Sequence, residues 1–279
     1  MAGPRAAQRA FFDLHCHTSF SFDSLARPAD QMKAAARRGL THLAITDHDR
    51  IDAAIAGRAL AIRRTMAVEV VVGEEISTRG GHLLGLWLSE PIKPWQSLRA
   101  SIAAVHEQGG LAIPAHPLFP YPLCAQGVIL RRLLADADPR FHPDAVEVFN
   151  PTTFGRPVHR QVVRFAATHG LGAIGSSDAH AVEAIGRGST TFPGRSAEDL
   201  RAAILARASG WEGTFHATAG QLGTFGRQLR KYGRDIRDET RGRVRNDGTG
   251  RDHGYPGGRF RPPRLELEPE IAEREDELR

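Results

Sequence analysis

The sequence predicts an α/β protein built as a closed barrel, because short apolar runs alternate with helical segments over much of its 279 residues. Seven runs have the length and composition of buried strands, at residues 11–16, 42–47, 68–73, 82–88, 111–115, 145–149 and 171–175. Helical patterns lie between most of these runs, at residues 28–38, 51–64, 94–108, 156–169 and 197–206. Seven strands favour a closed barrel, with an open doubly wound sheet as the alternative.

The ends of several helices are marked by residues that favour helix starts and stops. Pro28 suits the first turn of the first helix, because its fixed φ is helical and its missing N–H is not needed there. Gly39, Gly109 and Gly170 follow the predicted helices and suit stop positions. With 41 % hydrophobic residues, the chain can bury a sizeable core.

The composition argues against several classes of protein. The N-terminal residues lack the apolar stretch of a signal peptide, and no window approaches the roughly 18 apolar residues of a membrane span. The two cysteines, Cys16 and Cys124, are far apart, so we expect no disulfide framework and a cytoplasmic location without a membrane partner. The sequence contains neither a GxGxxG motif nor a P-loop motif, which removes the usual support for nucleotide-cofactor binding.

The composition changes near Gly226, and we expect a barrel domain over residues 1–226 and a disordered charged tail over residues 227–279. Residues 227–264 hold 12 Lys or Arg and 5 Asp or Glu, whereas residues 265–279 hold 2 and 7. The tail has too few aliphatic residues to bury a core. Its basic part is compatible with nucleic acid as a partner, although a solvated, charge-balanced tail is the commoner case.

The motif His15-Cys16-His17 ends the first predicted strand. Strand alternation places the two imidazoles on one face and Cys16 on the other. Two histidines one strand step apart on a face are better explained by a shared metal ion than by core packing. In a barrel, that face looks toward the mouth formed by the carboxyl ends of the strands.

Most of the later strands also carry a residue type that binds metals. These residues are Asp47, His48, Asp49, Glu74, Glu75, His82, His116, Asp178 and His180. Imidazole and carboxylate without thiolate suit Zn²⁺, Mn²⁺ or Fe²⁺. Because so many donors exceed the needs of one ion, we expect two or three divalent ions in one cavity.

Other polar residues near the strand ends are assigned supporting roles. Asp13 is in phase with the two histidines of the first strand, so we expect it to orient an imidazole. Glu74 should point away from Glu75. Arg156 and Arg187 follow strand ends, and either arginine can clamp a phosphate of the substrate, although a plain surface position is the commoner case.

Six motifs, taken together and in order, resemble the PHP (polymerase and histidinol phosphatase) superfamily of metal-dependent phosphoesterases. They are HxHT at 15–18, ITDHD at 45–49, GEEIS at 73–77, HLLGL at 82–86, AHP at 115–117 and SDAH at 177–180. The resemblance covers roughly residues 11–205. It implies an α/β fold of the distorted (β/α)7 TIM-like barrel type with a site for two or three metal ions.

The resemblance carries the family's metal ligands onto nine residues: His15, His17, Asp23, His48, Glu75, His82, His116, Asp178 and His180. It implies one ion on the HxH pair with Glu75 and Asp178, a second ion sharing Glu75, and a third on Asp23, His48 and His180. Many relatives have SDG soon after HxHT, whereas the aspartate here comes two positions later. The resemblance also gives Asp178, His180 and His48 catalytic roles.

The function implied by the resemblance is hydrolysis of a phosphomonoester or phosphodiester of a small metabolite or nucleotide by a metal-bound hydroxide. Divalent ions of this kind lower the pKa of bound water from about 15.7 to about 7. An exonuclease on short oligonucleotides remains an alternative, as does a nucleic-acid-binding protein with a vestigial barrel. An amidohydrolase is a minor alternative, because no lysine suited to carboxylation lies on a predicted strand.

Overall fold

The computed structural model describes residues 9–152, 155–216, 226, 230 and 231. The strands are β1 (Arg9–Asp13), β2 (His42–Ile45), β3 (Glu69–Thr78), β4 (Gly81–Leu86), β5 (Leu111–Pro114), β6 (Ala145–Phe149), β7 (Gly172–Gly175), β8 (Gly188–Pro193) and β9 (Gly210–Gly213). The helices are α1 (Pro28–Arg37), α2 (Asp52–Arg63), α3 (Leu98–Glu107), α4 (Gly127–Leu134), α5 (Gly155–His169) and α6 (Ala197–Leu205). Short 3₁₀ turns lie at Pro139–Phe141 and Val182–Ala184.

A curled seven-stranded sheet forms most of the barrel wall, in the order β5-β4-β3-β2-β1-β8-β9. The strands β1, β2 and β3 run parallel, whereas β4, β5, β8 and β9 each pair antiparallel with a neighbour. A separate parallel pair, β6 and β7, lies between β5 on one side and β8 and β9 on the other. The predicted α/β class with a distorted TIM-like barrel is therefore confirmed.

Three elements differ from the sequence prediction. The helix α4 and the strands β8 and β9 were not predicted, although β8 pairs with β1 over four residues. The strand β3 extends to Thr78, five residues beyond the predicted run, and returns directly as β4 in a hairpin. Gly81 begins the return strand with φ +110°, and a Cβ there would lie 2.3 Å from the backbone nitrogen of Ala125. Only glycine fits this turn.

Local signals explain where the helices begin. Pro28 occupies the first turn of α1, as expected. Ser97 caps α3 by accepting a hydrogen bond from the Ala100 backbone N–H. Ser196 and Asp199 form a reciprocal capping box at the start of α6.

Two apolar clusters hold the barrel together. The larger cluster packs α1, α2 and α3 against the outer face of the sheet, with Met32, Ile45 and Ile102 fully buried. The second joins alternate strand residues such as Phe12 and Leu84 to α6. These clusters fix the strands whose carboxyl ends carry the polar residues described below.

The C-terminal part of the chain is described at few positions. The predicted tail, residues 227–279, lies outside the described residues except for Arg230 and Lys231. Lys231 is buried, and its ammonium group donates to the backbone oxygens of Ser19 (3.2 Å) and Ser21 (2.5 Å). Among the described helices, none has the length and apolar content needed to cross a membrane.

Candidate metal centre

The nine candidate ligands surround one cavity at the carboxyl ends of the strands. They come from the segments after β1, β2, β5 and β7, from the β3–β4 hairpin, and from the loop before α1. Three groups of these side chains have donor atoms within 4.8 Å of one another: His17, Asp23, His48 and His180; His15, His17 and Asp178; and His48, Glu75 and His82. The structure thus forms clusters able to bind metal ions.

Glu75 lies at the centre of the cavity, with each of its oxygens facing different imidazoles. Its Oε2 is 3.2 Å from His15 Nε2, 3.1 Å from His17 Nε2 and 3.3 Å from His48 Nδ1. Its Oε1 is 2.8 Å from His82 Nδ1 and 3.1 Å from the Nε2 atom of the histidine after β5, His116. One carboxylate therefore joins two groups of nitrogen donors.

Asp178 closes the first of these groups. Its Oδ1 is 3.5 Å from His15 Nε2, from His17 Nε2 and from His180 Nδ1. Asn150 donates from Nδ2 to its other oxygen at 3.2 Å, which fixes the plane of the carboxylate. Asp178 therefore has one oxygen held by the protein and one directed into the cavity.

Asp23 closes a third group, although its position departs from the spacing seen in many relatives. Its Oδ2 is 3.2 Å from His48 Nε2 and 2.9 Å from His180 Nε2. The side chain is half-buried at the rim of the cavity. The loop after HxHT thus brings this aspartate to the same two histidines that the resemblance assigns to it.

Hydrogen bonds outside the cavity determine which nitrogen of each histidine points inward. Glu147 accepts from His15 Nδ1 at 3.1 Å, and Ser21 Oγ lies 3.2 Å from His17 Nδ1 while donating to Asp47 at 2.8 Å. Both histidines therefore carry a hydrogen on Nδ1, and Nε2 of each faces the cavity as the atom that would bind a metal ion in place of a proton. The two Nε2 atoms are 3.0 Å apart, which is close enough for one cation to bind both.

Several polar atoms of the cavity are buried without a hydrogen bond. They are Asp23 Oδ1, His48 Nδ1 and His82 Nδ1. His82 Nδ1 approaches Glu75 Oε1 closely, but its direction is unsuitable for a hydrogen bond. An unsatisfied buried polar group costs about 1–3 kcal/mol. A divalent cation would satisfy these atoms, so the residues present fit metal ions.

The charges in the cavity also favour a cation. Burial opposes ionisation of Glu75 and Asp178, but nearby imidazoles hold the pKa of both carboxyl groups well below the usual range. The strongest of these imidazoles is His82 for Glu75 and His15 for Asp178. Burial likewise opposes protonation of His17, yet hydrogen bonds to Asp178 and Glu75 raise its pKa to about 10. The carboxylates therefore create a potential strong enough to hold positive charge in a buried site.

The backbone at two of the strand ends is strained. His116 has φ +29° and Asp178 has φ +49°, in a region that residues other than glycine rarely adopt. Such strain costs on the order of 1–3 kcal/mol and persists where surrounding contacts enforce it. At His116, the backbone N–H donates to Glu147 Oε2 at 2.6 Å, and the side-chain Nδ1 lies 3.2 Å from Cys124 Sγ.

Glu147 was missed by sequence reasoning. It is the acidic residue of the otherwise apolar strand β6, and it is almost fully buried. Its carboxylate accepts hydrogen bonds from His15, from the His116 backbone, from Asn150 and from Ser176. A charged residue inside a buried strand was the available signal, because such a group needs several partners.

The expectation for Asp13 was wrong. Its carboxylate contacts no imidazole and instead accepts from the backbone N–H groups of Ser177 (2.9 Å) and Gly186 (2.7 Å). The strand β1 ends at Asp13, so regular alternation does not extend from Asp13 to His15. Burial raises the pKa of Asp13, against the effect of these hydrogen bonds. Asp13 thus ties β1 to the segment after β7.

Glu74 points away from Glu75, as strand alternation predicts. Its Oε2 accepts from the Ile92 backbone N–H at 2.8 Å, outside the cavity. Burial raises the pKa of Glu74 well above its usual value. The two neighbouring glutamates of β3 therefore have opposite surroundings.

The two arginines predicted to bind substrate lie outside the cluster. Arg156 is exposed in the first turn of α5, with Cζ 5.5 Å from the centre of the Phe215 ring. Arg187 is exposed, and its charge acts on His216. Burial lowers the pKa of His216, and the positive charge of Arg187 lowers it further, whereas the negative charge of Asp178 acts in the opposite direction. His216 therefore lies within electrostatic range of both Arg187 and the cavity.

Comparison with known proteins places this site in a family. Residues 13–114 match the PHP domain, and residues 157–209 match the PHP-associated family. The uncharacterized protein MJ1587 of Methanocaldococcus jannaschii is 36 % identical over 148 residues, which cover 50 % of this chain and 80 % of that protein. A two-domain protein of Bacteroides vulgatus, described as containing a predicted PHP-like metal-dependent phosphoesterase, has the same fold, with a TM-score of 0.60 and 19 % identity over 79 % of this chain and 70 % of that one.

Two relatives with named activities match over part of their length. A 5'-3' exoribonuclease of Haemophilus influenzae is 33 % identical over 106 residues, or 37 % of this chain and 38 % of the exoribonuclease. An error-prone DNA polymerase of Mycobacterium bovis is 27 % identical over 210 residues, or 61 % of this chain and 19 % of the polymerase. The chain thus spans less than two fifths of either relative. On the PHP domain match and the identity to MJ1587, the chain belongs to the PHP domain family.

Proposed function

We propose that the protein hydrolyses a phosphomonoester or phosphodiester of a small metabolite or nucleotide in a metal-dependent reaction. The observation that carries this proposal is the position of Glu75 between two groups of imidazoles. A carboxylate shared by two groups of nitrogen donors suits two neighbouring divalent ions. Two such ions can stabilise the attacking and leaving oxygens of an in-line displacement at phosphorus.

The nine residues divide into three sets of ligands in this proposal. His15, His17 and Asp178 form the first set with Glu75. Glu75 is shared with a second set that contains His82 and His116. Asp23, His48 and His180 form the third set at the more open rim. The absence of thiolate from these sets favours Mn²⁺, Zn²⁺ or Fe²⁺.

Bound divalent ions would supply an acidified water and would neutralise the phosphoryl oxygens. The protein's own groups do the rest. Glu147 and Ser21 hold the imidazoles of the HxH motif with Nε2 inward, and Asn150 holds the Asp178 carboxylate. His48 and His180 are half-buried at the rim, and with only two ions bound they would be free of metal, so that a protonated imidazole could give a proton to the leaving oxygen.

The substrate-binding role of Arg156 and Arg187 is part of this proposal. Both side chains are exposed: Arg156 follows the loop that starts at Asn150, which binds Asp178, and the charge of Arg187 acts on His216. A guanidinium group can bind two phosphate oxygens at once. The substrate would therefore place its reacting phosphate in the cavity and its remaining charge toward these two arginines.

An exonuclease acting on short oligonucleotides is the second candidate function. The 33 % identity with a 5'-3' exoribonuclease favours it. A nucleic-acid-binding protein with a vestigial barrel is less well supported, since all nine candidate metal-binding residues are present and clustered. A cytoplasmic location also belongs to the proposal, and the free cysteines Cys16 and Cys124 agree with it.

The test is a metal analysis followed by a phosphate-release screen. Purified full-length protein is saturated with Mn²⁺ or Zn²⁺, and the ions per chain are counted by elemental analysis. The screen covers nucleotides, bisphosphates, sugar phosphates and oligonucleotides, with EDTA-treated protein as the control. Binding of fewer than two ions, or amide hydrolysis in place of phosphate release, would refute the proposed two-ion phosphoesterase.

A further inference from the structure

A groove of about 490 Å³ lies between α4 and α5, outside the metal centre. Its lining is mixed, and the polar part consists of Arg131 of α4 together with Gln161, Arg164, Thr168 and His169 of α5. The apolar floor includes Leu118. The groove is therefore a concave surface with cationic side chains on both walls.

The two helices that form the groove carry charge of one sign. Their sequences, GVILRRLL and GRPVHRQVVRFAATH, contain five arginines and no aspartate or glutamate. The whole chain carries a formal net charge of only +5. Arg131, Arg160 and Arg164 are all exposed, and within the described part of the chain none has a carboxylate at ion-pair distance. This surface therefore offers unneutralised positive charge to a ligand.

The arginines of α5 are regularly spaced. Arg156, Arg160 and Arg164 follow each other at intervals of four residues, so each lies about 6 Å further along the helix and about 40° around it. This separation is comparable with the spacing of successive phosphates along an extended nucleic-acid strand. The row begins at Arg156, near the metal centre, and ends at Arg164 in the groove.

The α5 wall and the floor of the groove both connect to the metal centre. Leu118 of the floor follows the candidate ligand His116 by two residues. The first residue of α5, Gly155, packs so tightly on Asn150 that a Cβ would lie 2.1 Å from the Asn150 backbone oxygen. Asn150 in turn holds the Asp178 carboxylate. A polyanion with one phosphate in the cavity can therefore continue along α5 into the groove.

We propose that the α4–α5 groove binds the phosphate backbone of single-stranded nucleic acid whose terminal phosphate occupies the metal centre. This inference rests on the proposed phosphoester hydrolysis and specifies its substrate as a polymer. The candidate ligands of the cavity are buried or half-buried, so the reacting phosphate must enter a recess. A flexible single strand can enter such a recess, whereas a duplex must first be opened.

The test measures binding by fluorescence anisotropy, with labelled 12-mers of phosphorothioate-linked thymidine and uridine that carry a 5' phosphate and resist hydrolysis. Full-length protein is compared with the triple variant Arg131→Gln, Arg160→Gln, Arg164→Gln. The matched control is Arg58→Gln, Arg63→Gln, which removes two exposed arginines of α2, a helix that does not line the groove. A blunt DNA duplex of the same length is the competing probe.

The triple variant should bind the single strands at least about tenfold more weakly, and the control should bind like the wild type. Each lost phosphate contact removes about 0.7 from the slope of log K against log salt for single strands. The slope should therefore fall by about 2 in the triple variant. Unchanged affinity and slope in the triple variant, or equal binding of the duplex, would overturn the inference.

Failure of the proposed function gives a different result. Release of p-nitrophenol from bis(p-nitrophenyl) phosphate by the Mn²⁺-loaded wild type reports on the metal centre alone. Without that turnover the phosphoesterase proposal fails, whereas the anisotropy measurement, which needs no hydrolysis, still decides whether the groove binds nucleic acid. Folding of each variant is checked by its thermal transition, which should match the wild type because the changed side chains are exposed.

Discussion

The exchange of Glu75 for glutamine tests the centre of the site most directly. Glutamine keeps the size of the side chain but removes the negative charge that faces five imidazoles. If Glu75 joins two ions, their affinities should fall together. Glu74→Gln is the matched control, because Glu74 is the neighbouring buried glutamate and faces the Ile92 N–H instead.

The size of the effect follows from Coulomb's law. Two unit charges 4 Å apart at an effective dielectric constant of 20 interact by about 4 kcal/mol, and a divalent ion doubles this to about 8 kcal/mol. Since 1.36 kcal/mol corresponds to a factor of ten, loss of the Glu75 charge should weaken each shared ion by at least about a thousandfold. Glu74 faces the Ile92 N–H outside the cavity, and burial raises its pKa well above the usual value, so its exchange should leave the ion affinities within about threefold.

Competition with a chelating dye measures both affinities at neutral pH, and elemental analysis gives the ions per chain after dialysis. We expect Glu75→Gln to retain fewer than one ion per chain under conditions in which the wild type and Glu74→Gln retain at least two. Equal losses of bound metal in the two variants would refute the inference that Glu75 faces the cavity while Glu74 points away from it. Loss of one ion alone would show that Glu75 does not bridge.

Three further changes test residues around the centre. Glu147→Gln should weaken metal binding by about 10–100-fold, because the His15 imidazole loses the carboxylate that orients it. The same dye competition measures this, and an unchanged metal affinity would show that Glu147 only stabilises the fold. His106→Gln should lower the free energy of unfolding in urea by about 1 kcal/mol at pH 5.5 and by little at pH 9. A hydrogen bond to Asp144 raises the His106 pKa, so the stabilisation is present at low pH and is lost as pH rises through the folded pKa. An equal loss at both pH values would contradict this. Lys231→Met should speed limited proteolysis between β1 and α1, because the ammonium group no longer holds two loop carbonyls; unchanged cleavage would count against this anchoring.

Much of the site could be predicted because its chemistry is local in sequence. Pairs such as His15 with His17 and Asp178 with His180 lie next to strands whose apolar pattern is clear. Parallel strands bring their carboxyl ends to one edge, so residues at those ends converge without further information. The predicted ligands after β1, β2, β5 and β7 converge in the structure for this reason, whereas Asp23 comes from the loop before α1 and His82 from the antiparallel strand β4.

The missing parts depend on contacts between distant segments. The strand β8 contains glycine and proline and is recognisable only by its pairing with β1, more than 170 residues away. The helix α4 has no side-chain cap at Gln126 and follows a stretch rich in proline. Glu147 looked like one polar residue in an apolar strand, and its four hydrogen-bond partners come from three other segments and its own strand end.

The β3–β4 hairpin explains how the second group of nitrogen donors reaches Glu75. The strand β3 continues past Val72, where its pairing with β2 ends, and then returns as β4. In the antiparallel register Ser77 lies opposite His82, which places His82 diagonal to Glu75 on the same face of the hairpin. A register slip of one residue would turn His82 to the other face. The antiparallel return is therefore the departure from a regular barrel that lets one carboxylate face two groups of ligands.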